Sequence, residues 1–566
     1  MSRRRLRVRL DRRTILGLAG LVGLTVGLGW WRANSIVNRL LQHWAVGVVA
    51  QYSDSVYRLD RVGVHVNWLL RRVAVDSFLL TTNHAVNARH PRPLANVLIS
   101  LSHCAISGVH VFTLVRGAGL IAESLGCEAG RVGVEVPRRV QDSTTPTVPP
   151  APGSPPAAFL VLQQGLRLPS YAPRLQVAQI TFPDLAFELR VPRGRSSETR
   201  LGLERLQWHM VDFVIDPADA SAAFRPLFSR TIEVAAHSLV AHPDSAFAVR
   251  VGLLRASLTD STLEARGISA DLAPSARHRR DLIRITVGHA VMHGVAFGAF
   301  VFGQGARARR FDADSFGIEI TKDGRLPRSR TPQPDRTPQQ WITDLDVTFR
   351  LDSVVARNGE VIYRERRPGR DHPGVLTFNG VQASAVNMIH VVDRHTEGDT
   401  MSFAVTARLQ NVAPLEAHVA MPLDAPQFDM SFGGSLGPMP AAALNPFLEE
   451  VLPLRIAAGR VAGISFDAAV RHGIARGWVT PRFNDLSITV MRRGSGGILG
   501  DRGIVGGAAR GIASMMANQQ VRENNPGHPS KPPLSGRIRH VFRSDETLPA
   551  FLWVSVWGGL LLVVRQ

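Results

Sequence analysis

The chain has 566 residues, a formal net charge of +20 and 45% hydrophobic residues. This composition excludes an acidic disordered chain, and a total of two cysteines excludes a disulfide-dense miniprotein, a cysteine-ligated zinc ribbon and an iron–sulfur cluster. The charge is a weak indicator of function, because only Lys322 and Lys531 among the 66 basic residues are lysine, a skew typical of a GC-rich genome.

The N-terminus carries a predicted transmembrane helix. Residues 14–31 contain no charge and end in the pair Trp30 and Trp31, which is just long enough to cross a bilayer core of about 30 Å. Seven arginines in the basic tail 1–13 are expected to keep that tail in the cytoplasm, so that the rest of the chain is exported. The bulky residues after the apolar run disfavour cleavage as a signal peptide. Residues 32–56 have apolar side chains on one helical face and predict an amphipathic helix.

From residue 57 onward the dominant hydrophobic period is two. Leu185, Phe187 and Leu189 alternate with small or charged residues, and the same pattern recurs at Val249 and Val251. Such alternation predicts strands with one apolar face, and turn residues rather than long helices separate them. The pattern therefore predicts a mainly β protein with some α-helix, built on an antiparallel sheet rather than on βαβ units.

An internal repeat underlies the strand pattern. Residues 98–136 align with residues 283–320, and a proline-rich stretch follows each copy, at 146–156 and 327–338. Duplication of a unit of roughly 175 to 190 residues predicts an elongated repeat architecture. The predicted repeat ranges are 57–150 with its continuation 151–240, and 241–400.

Both cysteines lie in the first copy. Cys104 and Cys127 can form a disulfide in an oxidising compartment. Ala290 and Ala313 occupy the matching positions of the second copy, so the repeat does not require the bond. The sequence leaves this pairing open.

The last third of the chain has a different organisation. Residues 401–493 form a predicted module of strands interrupted by one short helix at 441–452, and residues 494–547 predict a glycine-rich helix and linker. Residues 548–564 are uncharged and carry Trp553 and Trp557. This last segment predicts contact with a membrane, and a buried core helix is the alternative.

Short chemical motifs point to structure rather than to catalysis. Residues 433–437 (GGSLG) match the spelling of a nucleophile elbow around Ser435, with Asp467 and His472 downstream, but no parallel α/β sheet is predicted around them. Residues 117–122 and 303–308 spell a variant of a dinucleotide-binding loop beside alternating strands, which favours structural turns. We therefore expect no enzyme activity, no cofactor and no metal site.

Two basic clusters, at 277–280 and 307–310, raise the question of nucleic acid. Neither cluster has interleaved aromatic residues for stacking on bases. On the outward side of a membrane, solvated arginines or contact with anionic headgroups fit better, so no nucleic-acid partner is expected.

The overall layout resembles the AsmA-like family of envelope proteins. Residues 57–80 are similar to the first strands of that family, and residues 444–490 are similar to its end module. The most specific features are the Leu-Asn-Pro start of the short helix, the turn at 459–461, the strand start at 484–486 and the following segment 521–526. The chain is much shorter than the large members of the family.

The resemblance implies a protein with a single N-terminal span in the bacterial inner membrane and its bulk in the periplasm. It implies a bent, groove-like sheet that binds or conducts phospholipid or other lipid acyl chains, in lipid transport and outer-membrane homeostasis. The implied partners are lipid, the inner membrane, and the outer membrane or its assembly components. The alternative is a scaffold or assembly factor that carries no lipid. The groove-facing candidates are Leu185, Phe187, Leu189, Phe247, Val249, Val251, Ile283 and Ile285.

Overall fold

The structure is a computed structural model that describes residues 55–67, 71–135, 174–216, 228–272, 281–325, 349–390, 400–490, 521–543 and 548–565, with short gaps inside these ranges. The basic tail 1–13, the predicted span 14–31 and nearly all of the predicted amphipathic helix 32–56 lie outside the described residues. Both proline-rich stretches also lie outside them.

The described chain is mainly β, as the alternating pattern predicts. Twenty strands belong to one sheet. They are β1 (Tyr57–Asn67), β2 (Arg72–Thr82), β3 (Asn96–Ser107), β4 (Leu120–Glu135), β5 (Leu175–Arg193), β6 (Ser197–Ile215), β7 (Thr231–His242), β8 (Phe247–Ser257), β9 (Thr262–Leu272), β10 (Asp281–His293), β11 (Ala306–Asp323), β12 (Phe349–Arg366), β13 (Gly374–His390), β14 (Thr400–Leu409), β15 (Ala413–Pro422), β16 (Met430–Leu436), β17 (Met439–Pro440), β18 (Leu454–Arg471), β19 (Ile474–Val490) and β20 (Gly536–Val541).

Among the helices of the described ranges, three have bounds that the structure gives. They are α1 (His84–Asn87), α2 (Asn445–Val451), which follows a 3-10 turn at Ala441–Leu444, and α3 (Leu548–Val564). The short helix predicted at 441–452 is therefore confirmed.

The fold divides into two compact units. Unit 1 contains the described residues within Met1–Val148, Leu160–Pro192 and Gly202–Ile232. Unit 2 contains those within Arg193–Leu201 and Glu233–Gln566.

The sheet is not wholly antiparallel, which corrects the prediction. Described neighbours pair antiparallel except at β4–β5 and β11–β12, where the strands run parallel. In each parallel pair the first strand is the last strand of one copy of the repeat, and one of the long segments 136–174 and 324–348 connects it to the second strand. A parallel pair needs a long crossover instead of a tight hairpin, and these segments provide that length.

The two copies of the repeat have the same strand pairing. Gly108 and Gly294, which correspond in sequence, have φ angles of 67° and 66°, where a side chain would be strained. A Cβ at Gly108 would collide with Glu123, and one at Gly294 would collide with Arg309, the residue that corresponds to Glu123. The duplicated sequence thus specifies a duplicated turn.

Left-handed residues interrupt the alternation inside the long strands of unit 2. Gly267, Ser315, Asn358 and Gly380 have φ angles of 64°, 58°, 55° and 59° and lie near one another across β9, β11, β12 and β13. Residues of this kind bend a strand locally. They also change which positions of the strand carry the apolar side chains. In β11 these positions have even numbers from Phe316 to Ile320 and odd numbers at Phe311 and Ala313.

Helices α2 and α3 cover the last strands of unit 2. Phe447, Leu448 and Val451 of α2 pack in one hydrophobic cluster with strands β13, β18 and β19. Helix α3 packs mainly in a second cluster through Phe551, which is fully buried.

The segment 548–564 is thus a helix packed on the sheet, as the buried-helix alternative proposed. Phe551, Ser555, Gly559 and Val563 form its buried stripe, while Trp553 and Leu562 are exposed. No helix among the described residues is long and apolar enough to cross a membrane.

Strand β20 was not predicted, because residues 494–547 read as helix and linker. Its alternation at 537–541 is the signal that could have indicated it.

Candidate functional site

The first candidate site is the apolar side of strands β3–β5 in unit 1. Leu185, Phe187 and Leu189 project from one side of β5, because successive side chains of a strand alternate between faces. They pair directly with residues on β4, and these pair with residues on β3, in the rows Leu185–Gly130–Leu101, Phe187–Val132–Ile99 and Leu189–Val134–Val97.

Gly130 permits close packing in the first of these rows. A Cβ at Gly130 would lie 2.5 Å from Leu101 Cδ2 and 2.8 Å from Leu185 Cδ2. The missing side chain lets the two leucines meet across the central strand, and Leu185 is only 6% exposed. Sequence reasoning identified Leu185 but not the glycine, because its effect depends on the register of three strands.

The second candidate site is the apolar side of strands β8–β11 in unit 2, which we call the open face. Val249, Val251, Ile283 and Ile285 all lie on this side. Phe247 is the first residue of β8, and its side chain lies outside the described set. The rows that include these residues are Val249–Ala270–Ile285–Ile318, Val251–Ile268–Val287–Phe316 and Ile283–Ile320.

The open face leaves large apolar side chains accessible to solvent. Ile283 is 41% exposed and Ile285 is 38% exposed. The rows continue through Val361 to Phe378, where the same side of the sheet meets the cluster around α2. These exposed isoleucines make the open face a candidate contact surface.

The opposite side of the same strands is ionic. Asp271 accepts a hydrogen bond of 2.7 Å from Arg284 Nε and one of 3.3 Å from Arg250 Nη1. Glu319 accepts one of 2.8 Å from Arg364 Nε and lies 3.9 Å from Arg284 Nη1. The hydrogen bond to Asp271 raises the pKa of Arg284. These five residues form a charge ladder across β8–β12.

The charge ladder and the open face give the sheet two chemically different sides. Opposite charges in adjacent strands stabilise a sheet weakly and keep the ionic side hydrated. Apolar ligands would therefore be confined to the other side.

Cys104 and Cys127, which lie opposite each other on β3 and β4, form a disulfide. Ala290 and Ala313 lie opposite each other in the same way on β10 and β11. The structure thus contains the disulfide that the sequence left open. In the second copy the two alanines are paired across the strands in the same way, without a covalent bond.

The candidate nucleophile does not lie at a strand-to-helix turn. Ser435 lies within β16, opposite Glu416 on β15 and Ser465 on β18. Gly433 and Gly434 also belong to that strand.

The loop-like motif at 117–122 leads directly into strand β4, where a dinucleotide site would need a helix. Gly119 has a φ of 130° and ends the preceding turn. In its counterpart at 303–308, residues 306–308 belong to strand β11, and residues 303–305 lie outside the described residues. Among the residues that the structure describes, no group of three or more His, Cys, Asp or Glu side chains is arranged to hold a metal ion.

No protein-family model matches the sequence, and no curated protein matches it. The resemblance to the AsmA-like family therefore rests on the motifs themselves.

Those motifs meet in the structure of unit 2. Gly459, with a φ of 122°, packs against Leu486, where a Cβ at the glycine would lie 2.8 Å from the leucine Cα. The Leu486 N–H donates to the Glu523 carbonyl at 2.9 Å, and the Asp485 N–H donates to Asn524 Oδ1 at 2.9 Å. Three segments far apart in sequence thus form one local structure.

The start of the short helix is fixed in the same region. The Asn445 side-chain amide donates to the Ile456 carbonyl and accepts from the Ile456 N–H, both at 2.9 Å. This side chain takes the place of a strand neighbour at the start of β18, which explains why an asparagine is useful at this position.

Proposed function

We propose that the protein is a membrane-anchored envelope protein that binds or conducts phospholipid acyl chains on the apolar sides of its sheet. The observation that carries the proposal is the open face, where Ile283 and Ile285 are exposed beside an ionic opposite side. Acyl chains suit such a surface because each CH₂ group removed from water contributes about 0.8 kcal/mol.

The proposal includes an inner-membrane anchor at 14–31, a bent groove-like sheet and a periplasmic location, in agreement with the AsmA-like resemblance. The Cys104–Cys127 disulfide supports an oxidising compartment. The row of left-handed residues supports a bent sheet. The exposed Trp553 and Leu562 support a limited contact of α3 with a membrane surface.

Photocrosslinking of the full-length protein tests the proposal. A photoreactive phenylalanine analogue at Ile285 should crosslink to phospholipid, because that side chain is exposed on the open face. The matched control is Thr286, which is adjacent, exposed and on the ionic side. Crosslinking at both positions, or at neither, would contradict the proposal, and extraction of copurifying lipid gives an independent readout.

A scaffold or assembly factor for outer-membrane components is the second candidate. This candidate is favoured because α2 and α3 pack on the apolar side of the last strands, so that this part of the sheet contacts the protein's own helices. A scaffold should retain its cellular role when Ile285 is replaced by asparagine, whereas a lipid carrier should lose it.

A further inference from the structure

The last two strands carry a surface group that the proposed function does not use. It consists of Arg476, Trp478, Arg537 and Arg539, which we call the arginine–tryptophan patch. Arg476 lies directly opposite Arg539, and Trp478 lies directly opposite Arg537. All four side chains are exposed, and Trp478 is 59% exposed.

The patch faces away from α3. The residues that alternate with it, Ala475, Val479 and Ile538, are fully buried in the cluster with α3. A Cβ at Gly559 of α3 would lie 2.5 Å from Val479 Cγ1, which fixes the side on which the helix lies. Alternation then places the patch on the other side of the sheet.

The arginines of the patch differ from others on polar strand faces. Arg284 and Arg310, for example, have carboxylate partners at 2.7 Å and 2.6 Å. Within the described part of the chain, no carboxylate lies within ion-pair distance of Arg476, Arg537 or Arg539.

The arrangement of the patch is unfavourable for the isolated protein. Like charges directly opposite each other destabilise a pair of strands, and Arg476 and Arg539 are such a pair. Asp467 lies opposite Trp478 on β18, whereas Arg537 and Arg539 lie on β20, two strands away from it. An external anion would relieve the repulsion between the two opposed arginines.

We propose that the arginine–tryptophan patch binds the surface of an anionic phospholipid membrane. Guanidinium groups form paired hydrogen bonds with phosphate oxygens, and an exposed tryptophan suits the boundary between headgroups and acyl chains. Val541, which is 55% exposed, extends the same side of β20 with an apolar contact.

A membrane fits the patch better than a nucleic acid does. The patch contains one aromatic residue, whereas binding of single strands uses several aromatic residues to stack successive bases. The disulfide in unit 1 also indicates an oxidising compartment, where nucleic acid is not the usual anionic partner.

The inference does not depend on acyl-chain binding. It concerns headgroup phosphates at β19 and β20, whereas the proposed function concerns apolar side chains of the open face. Vesicle binding and lipid crosslinking at Ile285 can therefore fail separately.

The test uses full-length protein held in nanodiscs of phosphatidylcholine. Vesicles of phosphatidylcholine alone are compared with vesicles that contain one-third phosphatidylglycerol. We expect binding to the anionic vesicles only, and the triple variant Arg476→Gln/Arg537→Gln/Arg539→Gln should weaken it by roughly 100-fold, since each arginine near an anionic surface contributes about a five-fold gain in affinity.

The matched control is Arg310→Gln/Arg325→Gln/Arg350→Gln, which removes the same charge from arginines that have carboxylate partners. It should bind as the unmodified protein does, and equal losses in the two variants would overturn the inference.

A third variant with lysine at the three patch positions keeps the charge and should keep most of the binding, which separates loss of charge from loss of folding. Equal binding to both vesicle types would also overturn the inference. The inference would also be overturned if the protein bound a single-stranded oligonucleotide through the patch and did not bind vesicles.

Discussion

Two stretches of the sheet in unit 2 share the same alternating pattern and differ in what covers them. Under α3, Phe432, Met430 and Val479 are 2% exposed or less. On the open face, Ile283 and Ile285 are about two-fifths exposed. Both stretches have an apolar side, so the difference arises from a helix that docks on one of them. Alternation specifies an apolar side, and a separate element decides whether that side becomes core or surface.

The largest expected effect concerns the covered stretch. Phe551→Ala should lower the free energy of unfolding by about 3 to 5 kcal/mol, because the ring is fully buried and contacts Phe428 and Phe542 with centroids 5.5 Å away. Urea unfolding of the full-length protein measures this change. The control is Trp553→Ala on the same helix, which should cost clearly less because Trp553 is 38% exposed. Equal losses would mean that α3 does not cover this stretch as described.

A smaller effect concerns the two copies of the repeat. Ala290→Cys/Ala313→Cys should form a disulfide, because these residues are paired as Cys104 and Cys127 are. Chain entropy predicts a gain of at most about 3.4 kcal/mol for a loop of this size. Mass spectrometry after thiol alkylation detects the bond, and unfolding with and without reductant measures its effect. The single variant Ala290→Cys is the control. Free thiols in the double variant under oxidising conditions would show that the copies do not share this geometry.

The smallest effect concerns the ionic side of the open stretch. Paired hydrogen bonds of 2.6 Å from Arg310 lower the pKa of Asp312 below its ordinary value. The ionised carboxylate is thus favoured in the folded state. Its contribution is present above the ordinary aspartate pKa, near 4, and is lost as the pH falls through the lowered value.

Asp312→Asn should therefore lower the free energy of unfolding slightly at neutral pH and by less at about pH 3, so that the variant loses slightly less stability on acidification. Unfolding midpoints at the two pH values measure the difference. An unchanged acid response in the variant would mean that this pair contributes nothing, as is common for exposed ion pairs.

Sequence reasoning worked where the physical signal is local. Leu185, Phe187 and Leu189 were predicted to share one side of a strand, and β5 places them there. Alternation alone did not predict which side chains share one side along a whole long strand. Ser315 and Asn358 are left-handed and change which positions of β11 and β12 carry the apolar side chains. Nothing in either residue type requires a left-handed conformation at those positions.

The parallel pairs and β20 show a second limit. The sequence indicated proline-rich connections after each copy, but not that the following strand would run parallel to the preceding one. Strand β20 is six residues long, and its pattern is too short to stand out in a segment rich in glycine.

The sequence by itself determined that the protein is built of long strands with one apolar side, that a segment of these strands is duplicated, and that a short helix lies within residues 441–452. These features follow from side-chain period and from matching glycines, which act over a few residues. The tertiary structure decided which apolar stretch is covered. Helix α3 reaches β20 through the contact of Gly536 with Gly559, and such a contact depends on the docking of two elements whose local patterns carry no information about each other.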